Sequence, residues 1–409
     1  MIVSCRRVAG VMVLACVVAA MGCRKPIPPE PDYAKPLPPG AFGLRKITDP
    51  AKLPDIASAA ESFQKPGYKE ALGRSLGWFR LPSTPQYFPS GPITHEHAWA
   101  SVFAMSKISE RSGPLLASRI LQEFDVWESV GWDGSGTVLY TGYYTPVFKA
   151  SRTPDGVYQF PIYSRPSDLV SDPATGKVLS PYPTRSQLVT SGRLRGLELV
   201  YFADPLDAYI VEVNGSAKLN MTDGSTLFVG FAGTNGHDYT SIGKLLAAEG
   251  KLDKNRISLA TIRAHFKQNP QQLQGYINRN DRFVFFKEYD GKNWPAGSLG
   301  FRVTPWHSLA TDKDVFPRGT PTLVMTDSFD DQGRQAPFRQ FMVDQDTGGA
   351  IRAAGRGDIY YGVGDRAEWF AGRQNAEGRL YYFLLKDDRI AHWMQQLRAE
   401  QTQPIRGPM

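Results

Sequence analysis

The chain has 409 residues, 21% of them charged and 12% aromatic, which is a globular rather than a disordered composition, with length for two domains or one large domain carrying an insertion. Its formal charge of +7 is spread thinly, with no long Lys/Arg block and no regular basic-aromatic stripe, so nucleic acid is not an expected partner. A polymer bearing carboxylates, such as a cell-wall glycopeptide, fits the mild excess.

At the start, Arg6 and Arg7 precede an apolar run over 8–21 that reaches Gly22 and Cys23. A basic start and a short apolar stretch ending in small residues describe a secretory signal, too short for a comfortable membrane span. Cys23 directly after Gly22 resembles the lipidated cysteine of a bacterial lipoprotein; an ordinary signal with an incidental cysteine is the alternative. Of the three cysteines, Cys5 and Cys16 would leave with the signal and Cys23 would carry the lipid. The mature domain is then expected to have no disulfide, thiolate metal site or cysteine nucleophile. The proline-rich stretch over 24–40 predicts an extended, semi-rigid spacer.

Apolar residues recur at helical spacing over 55–80 and again over 95–123, where Trp99, Val102, Phe103, Met105, Ile120 and Leu121 read as core faces and Pro114 interrupts the pattern. From residue 137 the character turns to β. Strands are predicted over 137–144, 159–163, 197–202, 208–213 and 226–231. Helices return over 241–248, 258–266 and 271–278, followed by a strand-like run over 282–288. From residue 301 the chain is β again, with strands over 322–325 and 380–385. The tail over 388–401 predicts a short amphipathic helix at best.

The stretch 341–364 concentrates the chemistry. It opens with the alternation of a half-buried strand, turns through Gly348 and Gly349, crosses Ala353-Ala354-Gly355-Arg356-Gly357 and reaches Asp358 before a second β run, Ile359-Tyr360-Tyr361. Glycine turns beside strand ends let carboxylates be aimed into a cleft. Asp346-Thr347-Gly348 is the triplet of aspartic proteases, but that chemistry needs a second triplet or a dimer, and no second one occurs. Gly362-Val363-Gly364-Asp365-Arg366-Ala367 is similar to a dinucleotide fingerprint, yet no βαβ pattern surrounds it, and it reads as a turn. No HExxH is present and no GxSxG elbow, the one GxSxG spacing, Gly73-Arg74-Ser75-Leu76-Gly77, falling inside the helical pattern over 55–80, so neither a zinc site nor a serine hydrolase is supported. Asp312, Asp346 and Asp358 remain, each next to a turn, where an aspartate can equally well cap the turn or do chemistry.

The motifs Thr311-Asp312, Pro317-Arg318-Gly319-Thr320, Asp346-Thr347-Gly348-Gly349-Ala350-Ile351 and Asp358-Ile359-Tyr360 resemble the three-aspartate domain of the membrane-bound lytic murein transglycosylase A family. Gly142-Tyr143-Tyr144-Thr145-Pro146, Pro161-Ile162-Tyr163, Asn214-Gly215-Ser216 and the run 231–243 resemble that family's specific insert. The resemblance spans about 140–385. It implies a mainly β fold with some α: a double-psi β-barrel made of two chain segments, with a second, largely β domain inserted. The implied divisions are a signal over 1–22, lipidated Cys23 and linker over 23–48, a helical part over 49–145, the insert over 146–290, the barrel over 291–388 and a tail over 389–409.

The same resemblance implies lytic cleavage of the β-1,4 bond between N-acetylmuramic acid and N-acetylglucosamine, leaving a 1,6-anhydromuramoyl end. Asp358 carries over as the acid/base, Asp346 as its acidic neighbour and Asp312 as the third aspartate. Tyr144, Thr145, Asn214, Ser216, Gly348 and Gly349 carry over as groove lining, with Asn214 standing where the family pattern has glutamine. The implied partners are peptidoglycan glycan strands and, through Cys23, the periplasmic face of the outer membrane. No metal or cofactor and no nucleic acid is expected, and a monomer is. Two alternatives stay open: a murein hydrolase using Asp346 and Asp358 as a pair, and a non-catalytic murein-binding envelope lipoprotein.

Overall fold

The first strand, β1 (Leu44–Lys46), leads into four helices, α1 (Ala60–Gln64), α2 (Pro66–Phe79), α3 (His95–Ser109) and α4 (Leu116–Glu123), and then into β2 (Phe124–Ser129) and β3 (Val138–Thr145). A computed structural model describes residues 30–110, 115–172, 176–254 and 257–402. The signal segment, Cys23 and Pro114 lie outside the described residues. The chain divides into Met1–Pro31 and Asp32–Met409, and every element named here belongs to the second unit. α2 begins on Pro66, whose missing N–H is not needed in a first turn. α3 is capped by the Thr94 hydroxyl, which accepts the His97 N–H at 3.1 Å.

After β3 the chain leaves for the segment that became the insert. It forms β4 (Val147–Ala150), β5 (Phe160–Tyr163), α5 (Arg185–Ser191), β6 (Glu198–Phe202), α6 (Pro205–Asn214), β7 (Ser216–Met221), β8 (Thr226–Thr234), α7 (Ile242–Ala248), α8 (Leu259–Gln268), α9 (Leu273–Asn278) and β9 (Val284–Tyr289). Strands β4-β7-β8-β9 make one sheet, and β5 and β6 a separate ribbon. The chain then returns as β10 (Ser308–Ala310), β11 (Pro321–Phe329), β12 (Gln335–Asp346), β13 (Arg356–Val363), α10 (Asp365–Ala371), β14 (Asn375–Leu385) and α11 (Asp387–Thr402).

The order β14-β11-β12-β10-β13-β3, with β3 pairing back onto β14, closes a six-stranded barrel, and β2 and β1 extend it from β14. β10 runs parallel to β12 and β13 runs parallel to β3; the other barrel pairs are antiparallel. Tyr140, Leu309, Val324, Met342, Ile359 and Tyr382 share one core cluster. Phe341, Val343 and Phe383 belong to another, with Phe63, Leu72 and Met105 of the helices. This is the mainly β architecture with a barrel and an added part that the sequence led us to expect.

Four local expectations change. Residues 208–213 read as a strand, but they lie in α6: the Asp204 side chain accepts the Leu206 N–H, Pro205 opens the first turn and Gly215 closes the helix with φ 72°. Start and stop signals overrode β-branched composition. Residues 365–367, read as part of a turn, open α10. β12 is buried on both faces rather than half-buried, because helices cover the outside of the barrel there. The tail is a full helix, Asp387–Thr402, that packs on α3 through Phe103 and Trp393. Within the proline-rich stretch, Tyr33 is docked, its hydroxyl donating to Glu377 at 2.6 Å and its ring edge-on to Trp132.

Candidate active site

Strand pairing lines up the acids. Ala310, the last residue of β10, sits opposite Asp346 on one side and opposite Asp358 on the other. Asp358 in turn pairs with Thr141 of β3. Paired residues in a sheet share a face, so Asp346, Ala310, Asp358 and Thr141 form one row across four strands. The register between β10 and β12 shifts between Leu309 and Ala310: Leu309 faces Asp344, but Ala310 faces Asp346 rather than Gln345. A bulge of this kind re-aims a side chain beside a site. Gln345 locks the bulge, since its amide donates to Ala71 O at 2.7 Å and to Ser75 Oγ at 3.0 Å on α2.

Asp358 is half-buried and opens onto a cleft. The Thr141 hydroxyl donates to its Oδ1 at 2.7 Å, and Arg356 Nη2 donates to that same hydroxyl at 3.0 Å. Burial pushes the Asp358 carboxyl up to about 6, with Asp346 adding to the rise and Arg356 and the Thr141 hydrogen bond opposing it. Gly142 is required next to Thr141: a Cβ there would meet the Tyr361 ring at 2.5 Å and Ala371 Cα at 2.8 Å.

Asp346 is held differently. Its Oδ1 accepts the N–H groups of Ser298 and Thr347, each at 2.8 Å, and its Oδ2 accepts the Tyr143 hydroxyl at 2.8 Å. Burial raises its pKa, and these three donors and the Lys313 charge work against that rise. Tyr143 packs on Tyr360 with ring centroids 5.0 Å apart. Asp312 uses both carboxylate oxygens on backbone N–H groups, those of Asp314 at 3.0 Å and Ala353 at 2.7 Å, and so ties the exit of β10 to the loop before Asp358.

A fourth aspartate, Asp344, went unnoticed in the sequence. Its side chain has no solvent exposure and is ion-paired with Lys313, whose side chain is 3% exposed. Thr311 and Tyr382 donate to its Oδ2 at 2.8 and 2.9 Å.

The cleft encloses about 1220 Å³. Thr141, Asp312, Gly349, Arg352, Arg356 and Asp358 line its barrel side, and Val213, Tyr239, Ser241 and Lys244 of the insert line the other. Of the residues expected to line a groove, Gly349 does so and Gly348 adjoins it. Tyr144, Thr145, Asn214 and Ser216 lie off the cleft. Tyr144 donates to Glu368 at 2.7 Å, and Asn214 donates to Ile210 O within its own helix at 2.9 Å. Thr145 joins Tyr360 at 3.0 Å and Ser216 at 3.5 Å, where β3 meets β7. Thr141 and Arg356 were not singled out in the sequence, because only the parallel pairing of β3 with β13 sets them beside Asp358.

The arrangement agrees with what comparison finds. Residues 139–287 match the model of the MltA specific insert domain, and residues 307–384 match that of the 3D domain. Over 271 residues the chain is 34% identical to the membrane-bound lytic murein transglycosylase A of Escherichia coli (strain K12), covering 64% of this chain and 71% of that protein. The chain belongs to the membrane-bound lytic murein transglycosylase A family. Among solved structures, the membrane-bound lytic murein transglycosylase from Agrobacterium tumefaciens superimposes with a TM-score of 0.69 at 25% identity, covering 86% of this chain and all of that one. The E. coli MltA with bound chitohexaose gives 0.63 at 26% identity, covering 87% and 96%. The row Asp346–Ala310–Asp358 falls inside the 3D-domain match, and Thr141 inside the match to the insert, so the family's two segments meet at Asp358.

Proposed function

We propose that this chain is a peptidoglycan lytic transglycosylase, cleaving the β-1,4 bond between N-acetylmuramic acid and N-acetylglucosamine without water, with Asp358 as the single acid/base. The observation that carries the reading is the asymmetry of the two row aspartates. Asp358 lines the cleft with its Oδ2 in no hydrogen bond among the described residues and has a carboxyl raised to about 6 by burial, whereas both oxygens of Asp346 are occupied by three donors.

The neutral Asp358 carboxyl gives its proton to the glycosidic oxygen as the bond to the muramoyl C1 breaks. The C6 hydroxyl of that same sugar bonds to C1 and returns its proton to the Asp358 carboxylate, leaving a 1,6-anhydro ring and a protonated Asp358. The nucleophile is intramolecular and already placed, so one carboxyl serves both transfers. A hydrolase would need a second carboxylate to activate water; Asp346, bonded on both oxygens, is poorly placed for that. Its role is to keep negative charge near Asp358, which favours the protonated starting form. Gly349 and the facing Tyr239 and Lys244 would border a glycan strand.

The relatives' description as membrane-bound and the Gly22-Cys23 pattern support envelope attachment through a lipid on Cys23, facing peptidoglycan. Mass spectrometry of a digest of purified sacculi tests the reaction. Fragments lighter by one water than reducing-end products are expected from the wild type and none from Asp358→Asn; reducing ends alone would overturn the transglycosylase reading in favour of hydrolysis.

A further inference from the structure

Between Asp358 and Arg356 stands one hydroxyl. Arg356 Nη2 donates to Thr141 Oγ1 at 3.0 Å, and Thr141 Oγ1 donates to Asp358 Oδ1 at 2.7 Å. A guanidinium has donors only, so it occupies a lone pair of the hydroxyl and leaves the single hydroxyl proton to point at Oδ1. An oxygen that is already receiving a proton is a poor place for another. Among the described residues the other oxygen, Oδ2, has no hydrogen-bond partner, and Asp358 lines the cleft. Arg356 itself is not placed for its own satisfaction: its Nε is buried without a partner, a cost normally avoided in a folded protein.

We propose that Arg356, acting through Thr141, is a positioning device that fixes which oxygen of Asp358 carries its proton, reserving Oδ2 for the glycosidic oxygen. The inference rests on Asp358 being the acid/base and adds two residues to that reading. No bond is made or broken by Arg356 or Thr141; the hydroxyl keeps its proton throughout, and the only proton that moves is the one on Oδ2. The charged and titratable groups around Asp358 are Arg356 on its own strand, Asp346 across β10, Tyr143 on β3 and Tyr361, with Asp312 and Arg352 farther along the cleft. Of these, Arg356 alone is linked to Asp358 through a shared hydroxyl.

The test compares full-length wild type with Thr141→Val, Thr141→Ser and Arg356→Met on purified sacculi, reading kcat, KM and the pH profile of anhydro-product release. Thr141→Val should lower kcat about tenfold or more with KM within about twofold, and move the high-pH limb upward by about one pH unit, because a hydrogen bond to the charged carboxylate is lost. Arg356→Met should shift the limb in the same direction, and Thr141→Ser should restore both the rate and the limb. A merely structural defect would lower the amplitude with the limb unmoved, and this outcome, like a Thr141→Ser variant no better than Thr141→Val, overturns the proposal. Equal binding of all variants to sacculi and unchanged thermal melting guard against misfolding. A wild type that releases no anhydro ends refutes the function itself, whereas an active wild type, a dead Asp358→Asn and an unaltered Thr141→Val refute only the positioning device.

Discussion

Asp346 and Asp358 are separated by one residue of a third strand, Ala310, which pairs with both. Their carboxyls therefore belong to one face of the barrel, yet each has its own hydrogen-bond shell. Asp346 is engaged on both oxygens, while among the described residues Asp358 is engaged on Oδ1 only. The unequal roles proposed for the two acids rest on that difference.

Asp358→Asn should reduce cleavage by at least about 10³-fold, the upper range for loss of a general acid. Binding to sacculi should persist, because the cleft walls are unchanged. Pelleting and soluble-fragment release, measured on the same sample, separate the two effects; appreciable release by the variant removes Asp358 from its role.

The rate should depend on pH with the sign of an acid that must start protonated. With the Asp358 carboxyl at about 6, kcat/KM should be level below pH 5 and fall about tenfold per pH unit above roughly pH 6.5. A limb rising toward pH 8 would mean that a base, and not this carboxyl, governs the step.

Stability should also fall as pH rises, over a lower range. The folded-state pKa of Asp358 is raised above the ordinary carboxylate value, so the folded protein binds this proton more tightly than the unfolded chain, and stability is lost as pH rises from about 4 to 6. Asp358→Asn should then be more stable than wild type above pH 6, by about 1–2 kcal/mol once solvent contact is allowed for. The advantage should vanish below pH 4. Urea melts at pH 4 and pH 7 check both ends.

Asp346→Asn removes a negative charge near Asp358 while keeping an oxygen for the Ser298 and Thr347 N–H groups. The high-pH limb should shift downward and the rate should fall by about tenfold, since less of Asp358 starts protonated. Asp346→Ala additionally leaves three donors without an acceptor, at about 1–3 kcal/mol for each one that water cannot reach, and should melt earlier than Asp346→Asn. An unshifted limb in the asparagine variant would separate the two carboxyls electrically.

Lys313 and Asp344 supply a prediction about the barrel rather than the reaction. Burial lowers the Lys313 pKa, and Asp344 is what keeps the ammonium charged. Lys313→Met leaves Asp344 as a buried, uncompensated charge and should cost about 3–5 kcal/mol. The double variant Lys313→Met, Asp344→Leu should recover a large part of that loss in denaturant titration; a double variant worse than the single one contradicts the assignment.

Much of this was legible in the chain, for identifiable reasons. Alternation announced β3, strand-like runs bounded by turn signals announced β8 and β14, and the glycine-rich run before Asp358 marked it as an acid at a strand end. The family motifs named the same three aspartates. What periodicity does not carry is pairing. Thr141 is an unremarkable residue in a strand until β3 is laid parallel to β13, and Asp344 reads like its neighbour Asp346 until the register shift at Ala310 turns one inward to Lys313 and the other toward the row. α6 was misread because Ala-Tyr-Ile-Val-Glu-Val satisfies a strand as well as a buried helix, and the deciding signals, Asp204-Pro205 and Gly215, lie outside that window.

The three-residue strand β10 has a consequence for how such a chain can change. Two strand spacings, about 10 Å of backbone, separate Asp346 from Asp358, and that distance is set by β10, not by the loop that joins the two acids in sequence. From Ala353 onward the loop is tied down by Asp312, and Thr347 is held by its N–H on Asp346, but changes within 348–350 would remodel the rim of the cleft and leave the separation of the carboxyls alone. That short turn is therefore a place where a change of sequence would alter which glycan strands enter without moving the two carboxyls apart.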